Sequence, residues 1–205
     1  MSIREAPEAR QGSIIEATMA CIAAYGYAET TIDRICKQAG ISRGLINHHF
    51  STKDELMAKT YHRLADHLAL QTRRAVQAAG DEPEGALRAL ICASFQPDIF
   101  EEEHLAVWLG FWSVVRTTAA IAETHRALYA GYRRALTRAF ERVQEKRGLR
   151  RDGALAATTL TALIDGFWLE RALDPQAFSA AEARRAALMV AERFLGQGAV
   201  IQLDS

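Results

Sequence analysis

The stretch from Thr31 to Phe50, TIDRICKQAGISRGLINHHF, constrains the fold of this chain more than any other. Ile32, Ile35, Cys36 and Ala39 recur at helical spacing and make one apolar face. Gly40 suits the left-handed backbone that ends a helix, and Ile41 follows as a buried plug. Ser42 is a good N-cap for a second, short helix, which Leu45, Ile46 and Phe50 hold against the first. The other positions of that helix, Arg43, Gly44, Asn47, His48 and His49, are polar or small and left to face outward. A short, firmly docked helix with such a face fits a DNA major groove. The alternative is an ordinary helical hairpin.

The 25 Lys and Arg of the chain balance its 25 Asp and Glu, so no broad basic surface advertises nucleic acid. The first 60 residues balance as well, seven against seven. Between Asp33 and Lys53, however, Arg34, Lys37, Arg43 and Lys53 face a single acid, with His48 and His49 beside them. Positive charge is thus concentrated where phosphates would lie. Affinity is expected to come from local placement and from dimerisation. At 205 residues the chain can bury an adequate core. No stretch approaches the roughly 18 apolar residues that a membrane span needs, and MSIREAPEARQGS holds no apolar signal-peptide core. A cytoplasmic protein without membrane partners, nucleoid-associated when bound to DNA, is the expectation. Cys21, Cys36 and Cys92 show no CxxC or metal spacing. They read as small buried hydrophobes, with a redox-sensing thiol as the second reading.

Abundant Ala, scarce Pro and the lack of any alternating run predict an all-α chain of nine helices. The first runs from about Gln11 to Tyr25, with Ile14, Thr18, Cys21 and Tyr25 on one ridge, and Gly26 ends it. Thr52 caps a long fourth helix that starts at Lys53, with Leu56, Met57, Tyr61, Leu64 and Leu68 inward. Gly80, Asp81 and Pro83 make one break and Pro97 another. Later helices are expected over about 83–94, 101–115, 119–146, 152–173 and 179–195. Residues 1–52 form a helix-turn-helix DNA-binding domain in this reading. Residues 53–205 form a ligand-sensing and dimerisation bundle, linked to it by the fourth helix.

In the bundle, Leu105, Trp108, Leu109 and Trp112 share one helical face, with Phe111 alongside. Trp168 follows Asp165 by three residues, and Tyr129 and Tyr132 come from a helix between. An indole N–H wants a partner, and three indoles near a carboxylate suit a cage for a quaternary ammonium ion. The candidate ligand contacts are Trp108, Phe111, Trp112, Tyr132, Asp165 and Trp168. Each Trp reads equally well as core, and Asp165 as an interface or packing residue. Leu155, Ala162, Leu163, Gly166 and Leu169, then Ala183, Ala187, Val190 and Phe194, give small apolar faces on the last two helices. Two copies can pair such faces into a four-helix interface. The homodimer would set its recognition helices about 34 Å apart over an inverted-repeat operator.

Along its full length the chain resembles the TetR (tetracycline-repressor-like) family of regulators. The resemblance rests on the motif above, on the STKDELM that follows it, and on two final helices after a bundle. Within the family it is similar to the choline-responsive repressors of betaine-synthesis operons, through GISRGLINHHF, VWLGFW at Val107 to Trp112, and ALIDGFWLERAL at Ala162 to Leu173. This implies a dimeric repressor of double-stranded DNA, released or modulated by a small-molecule inducer. The inducer implied is choline or another quaternary ammonium, and the process controlled is glycine betaine synthesis. The alternative within the family is an efflux or catabolic operon with a different hydrophobic ligand.

The motif gives each candidate DNA contact a physical task. Thr31, at a helix start, can offer its hydroxyl and a backbone amide to a phosphate. Arg43 can reach a guanine edge bidentately or clamp a phosphate. Gly44 allows close approach, Leu45 can meet a thymine methyl, and Asn47 can read an adenine. Members of the family often have Tyr where Asn47 stands, so no known operator carries over. His48 and His49 are placed for phosphate or base contacts, and His49 matches a position that is usually His or Tyr. Lys53 can clamp a phosphate from the first turn of the fourth helix.

An enzyme is not expected. The chain has no Gly-rich phosphate loop, HExxH pair, nucleophile elbow or metal cluster, so no catalytic residue, metal or cofactor is assigned. Glu101, Glu102 and Glu103 read as a solvated run complementing a helix dipole. Outside regulators, the remaining readings are a helical enzyme that happens to hold the motif and an architectural DNA binder that senses nothing.

Overall fold

The structure, a computed structural model, describes residues 7–196, and every element among them is helical. In chain order the helices are α1 (Pro7–Glu29), α2 (Ile32–Ala39), α3 (Arg43–His49), α4 (Lys53–Ala78), α5 (Pro83–Cys92), α6 (Pro97–Phe100), α7 (Glu102–Trp112), α8 (Ala119–Lys146), α9 (Gly153–Leu173) and α10 (Ala180–Leu195). These ten exceed the expected nine by α6, a single turn where only a break was read. Pro97 sits at its first position, where proline is well tolerated, and the burial of Ile99 and Phe100 holds the turn inward. Residues 1–6, part of the segment read as lacking a signal-peptide core, lie outside the described residues, as does the end of the second expected domain.

Helix α1 does not run straight to its end. Gly26 takes φ 78° and ψ 166°, a left-handed break that favours glycine, and Thr30 Oγ1 donates to the carbonyl it frees at 2.8 Å. The tyrosines on either side of the break have different surroundings. Tyr25, expected on the buried ridge, is 55% exposed and carries the Arg34 guanidinium over its ring at 4.7 Å. Tyr27, beyond the break, turns onto Phe111 with ring centroids 5.6 Å apart.

The chain divides into two compact units. One takes in the residues as far as Ala69 together with Glu101–Leu128; the other takes in Leu70–Phe100 and the chain from Tyr129 onward. In the first unit, Ile14, Ala17, Cys21, Ile35, Ile46, Phe50 and Leu56 form a buried cluster, and Ile32, Cys36, Ala39 and Ile41 pack against it. Helix α1 packs on both α2 and α7. At the α1–α7 contact an added Cβ on Gly110 would stand 2.8 Å from Ile22 Cγ2, so only a hydrogen fits. Tyr61 is fully buried between Trp108 and Phe111, at 5.6 and 4.7 Å between rings, and its hydroxyl pairs with His125 Nδ1 at 3.0 Å.

In the second unit, α5, α9 and α10 pack together. Phe95 meets Phe100 and Phe167, and Phe140 meets Phe194. Lys146 and Arg147, where α8 ends, pair with Glu82 and Glu84 at the start of α5, and Arg147 also reaches Glu192. Ser179 and Glu182 cap α10 reciprocally, side chain to backbone in both directions. No helix among the described residues is long and apolar enough to cross a membrane.

Candidate nucleic-acid interface and ligand site

The motif folds from its caps. Thr31 Oγ1 accepts from Arg34 N at 3.3 Å and starts α2; Gly40, at φ 65° and ψ 34°, ends it. Ser42 Oγ accepts from Leu45 N at 3.3 Å and starts α3, and Phe50 N closes it on the Ile46 carbonyl at 2.8 Å. With Ile46 and Phe50 each 1% exposed, α3 is pinned along its inner side. Arg43, Gly44, Asn47 and His48 are exposed, while Leu45 and His49 are half-buried. Four of the five positions expected to face outward are exposed, and the fifth, His49, is half-buried like Leu45. The His48 and His49 rings meet edge-on at 5.1 Å.

Thr31 is exposed, and although its oxygen caps α2, its hydroxyl proton remains available to an anion. Lys53 is half-buried in the first turn of α4, beside a cap in which Thr52 Oγ1 accepts from Glu55 N at 3.0 Å. Glu55 reaches back to Ser51 N at 2.7 Å, which fixes the start of α4 directly after α3. Two of the cations counted in the sequence are partnered. Arg34 bonds to the Glu29 carbonyl and carboxylate, and Arg43 Nη2 donates to Asp33 Oδ1 at 2.7 Å. The sequence reading missed Asp33 as a member of this surface. Its partner lies ten residues away across a turn, a separation with no periodic signature.

Of the ligand-cage candidates, the structure brings Tyr132, Asp165 and Trp168 together in the second unit. Tyr129 donates to Asp165 Oδ1 at 2.9 Å. Trp168 Nε1 donates to the Ser94 carbonyl at 3.0 Å, and the Ser94 and Tyr132 hydroxyls pair at 3.2 Å. Burial pushes Asp165 up to about 6, against the opposing effects of the Tyr129 bond and the Arg133 charge. Burial likewise pushes Tyr132 up to about 12, partly offset by its bond to Ser94. The cluster thus presents a carboxylate among aromatic rings in a site that disfavours unbalanced charge. Ser94 was not singled out from sequence, because its role passes largely through a backbone carbonyl. Trp108, Phe111 and Trp112 belong to the first unit: Trp108 and Phe111 are buried in ring contact with Tyr61, and Trp112 is half-buried.

The small-residue faces of the last two helices resolve into two kinds. Ala183 and Ala187, at 1% and 0% exposure, are buried within the chain's own second unit, so they are not offered to a second copy as the sequence suggested. The outward apolar positions are Leu155, Leu169 and Leu173 on α9 and Met189 on α10, at 56, 39, 68 and 61% exposure. Ala162 is also exposed on α9. An added Cβ on Gly166 meets nothing within 4 Å. The Cys21 and Cys92 thiols are held above their ordinary range by burial, in keeping with small apolar fillers.

Comparison with known proteins matches two parts of the chain to family models. Residues 14–60 match the family model of bacterial regulatory proteins of the tetR family, and residues 83–196 match that of the C-terminal region of BetI-type transcriptional repressors. The chain is 35% identical over 181 residues to the HTH-type transcriptional regulator BetI 2 of Chromohalobacter salexigens, covering 85% of this chain and 83% of the relative. Among solved structures, a transcriptional regulator from Pseudomonas aeruginosa PAO1 is similar at 34% identity and a TM-score of 0.82, over 93% of this chain and 96% of that one. A regulator from Saccharomonospora viridis, solved in complex with choline, shares the fold at 24% identity and a TM-score of 0.77, over 90% of this chain and 96% of that one.

Proposed function

Since this chain belongs to the TetR family of bacterial transcriptional regulators, of the BetI type, and is a DNA-binding regulator rather than an enzyme, we propose that it is a cytoplasmic homodimer that reads an inverted repeat through α3 and senses choline or a related quaternary ammonium. The observation that carries the ligand reading is Asp165, a half-buried carboxylate bonded to Tyr129, with Tyr132 and Trp168 beside it. A trimethylammonium group cannot donate a hydrogen bond. It is held by ring faces and by one compensating negative charge, and the aromatic side chains and carboxylate of this cluster are the residue types such a site needs. The BetI name of the curated relatives and the choline bound to the S. viridis regulator point the same way. Trp108, Phe111 and Trp112, the other expected ligand contacts, lie in the first unit.

The DNA contacts proposed are Thr31, Arg43, Gly44, Leu45, Asn47, His48, His49 and Lys53, in the roles given above. The dimer contact proposed is the outward α9 stripe with Met189 of α10. In this proposal residues 1–52 serve DNA binding and residues 53–205 sensing and pairing. A ligand that prefers one arrangement of the two units changes DNA affinity by the difference it feels between arrangements; about 1–3 kcal/mol gives a 5- to 150-fold change.

Calorimetry tests the reading with choline and with its uncharged isostere 3,3-dimethylbutan-1-ol. Choline should bind and the isostere should bind far more weakly. Asp165→Asn should abolish the difference. Equal binding of the two by the wild-type protein would remove the cation cage and leave a hydrophobic inducer, as in an efflux or catabolic regulator.

A further inference from the structure

We propose that Asp33 is a specificity-determining residue of the DNA surface, holding one edge of the Arg43 guanidinium so that the other edge is offered to guanine and withheld from stray phosphates. The proposal rests on the reading that α3 enters the major groove. Arg43 Nη2 donates to Asp33 Oδ1 at 2.7 Å and so links the first turn of α3 to the first turn of α2.

An architectural role does not account for this pair. Helices α2 and α3 are already locked by Ile35, Ile46 and Phe50, none more than 1% exposed. The Arg43 and Asp33 side chains are 61% and 76% exposed, and an exposed ion pair contributes little to stability. Arg43 also stands at the start of a helix, where the dipole disfavours a cation. A residue placed against its local preference on an outward face is a residue kept for what it touches.

The chemistry separates bases from backbone. A guanidinium has five N–H donors, enough to serve a carboxylate on one edge and the O6 and N7 of guanine on another. Guanine is uncharged, so Asp33 can stay in place and fix the plane of Arg43 while the base is read. A phosphate is different. Beside it, the Asp33 charge repels the backbone, and Arg43 already has its charge largely offset. On arbitrary sequence the pair therefore contributes little attraction; at the right guanine it contributes orientation.

The test uses the full chain, its Asp33→Asn variant and its Arg43→Ala variant. Each is used to select DNA from a randomised duplex library, then titrated with an arbitrary duplex over a range of salt. Asparagine keeps the acceptor oxygen and removes the charge. Asp33→Asn should bind the arbitrary duplex more tightly, with the slope of log affinity against log salt steeper by about 0.9, the share of one phosphate contact. Its selected sequences should lose a guanine preference at one position per half-site. Arg43→Ala should lose the same preference without the gain on arbitrary duplex. Circular dichroism melts should match the wild type, since both side chains are exposed. An Asp33→Asn protein with unchanged salt slope and unchanged selected sequence overturns the proposal, and so does one weakened equally on all DNA. A wild-type protein that selects no sequence at all would overturn the recognition-helix reading along with it.

Discussion

The phenol of Tyr129 on α8 donates to the carboxylate of Asp165 on α9 at 2.9 Å, yet this bond does not restore the acid to its ordinary range. Burial outweighs both the bond and the nearby Arg133, and Asp165 stands at about 6 instead of 3.8. A carboxylate poised there changes charge within the reach of ordinary buffers.

Choline binding should accordingly depend on pH. The ionised carboxylate attracts the cation and the protonated one does not. Affinity should be flat well above pH 6 and fall as pH drops through about 6 and below. Calorimetry from pH 8 to pH 5 reads this directly. In Asp165→Asn the residual affinity should be low and should not vary with pH. A wild-type affinity that stays constant across the range would place the cation away from Asp165.

The same shift predicts a cost in stability. A carboxyl whose folded pKa lies above its unfolded value binds protons more tightly when folded. Its contribution is therefore least favourable above pH 6, and stability recovers as pH falls from about 6 towards 3.8. Asparagine keeps the oxygen that accepts from Tyr129 and removes the charge. Asp165→Asn should stabilise the ligand-free protein at pH 7 by roughly 1–3 kcal/mol. Thermal melts at pH 7 and pH 5 should show the gain shrinking at the lower value.

On the DNA side, Asn47 is exposed on α3 and Lys53 opens α4. Asn47→Ala should lose roughly 1–3 kcal/mol of discrimination at one base pair per half-site. Lys53→Ala should weaken binding to all sequences alike and reduce the salt slope. Competition binding with single-base operator variants separates the two. Unchanged discrimination by Asn47→Ala would remove that residue from base reading.

Gly166 faces open space within the chain, so a side chain there is compatible with the folded protomer. Gly166→Glu should therefore give a folded monomer with weakened operator binding. Sedimentation with circular dichroism distinguishes this from unfolding. A Gly166→Glu protein that remains a dimer would move the interface off the α9 stripe.

At the α1–α7 contact the opposite holds. Gly110→Ala brings a methyl to within 2.8 Å of Ile22 Cγ2 and should cost about 1–3 kcal/mol by overpacking. Ile22→Ala makes room for the added methyl, so the double variant should lose less than the sum of the two single losses, measured by chemical denaturation. Additive losses in the double variant would show that the two side chains do not share the space.

What was legible in the sequence follows from how local each signal is. The cap Ser42, the turn at Gly40 and the buried face through Ile35, Ile46 and Phe50 act within a few residues, and they were read with their roles intact, whereas Thr31 was read as a phosphate contact and is also the cap of α2. Tyr25 was misplaced because the ridge of Ile14, Thr18 and Cys21 continues to it on paper, whereas it stands at the end of the regular helix, where its ring is exposed and meets Arg34. Ala183 and Ala187 announce close helix approach, but small side chains do not say which helix approaches, and here it belongs to the same chain. Trp108 and Trp168 read alike in sequence. Their neighbours differ: Trp108 stands edge-on to Tyr61, whereas Trp168 reaches a backbone carbonyl beside Tyr132 and close to Asp165 in sequence.

The placement of the caps has a consequence for how such a regulator changes its target over generations. The side chains that start α2, α3 and α4 are Thr31, Ser42 and Thr52, and those that fix α3 from within are Ile46 and Phe50. Gly44, Asn47 and His48 belong to neither set. They can drift among polar residues with little effect on folding, so, with the DNA contacts proposed above, the operator address would be rewritten while the scaffold stays constant. Arg43 is the exception. On the proposed reading, its tie to Asp33 would make two positions, ten residues apart, act as one letter of that address.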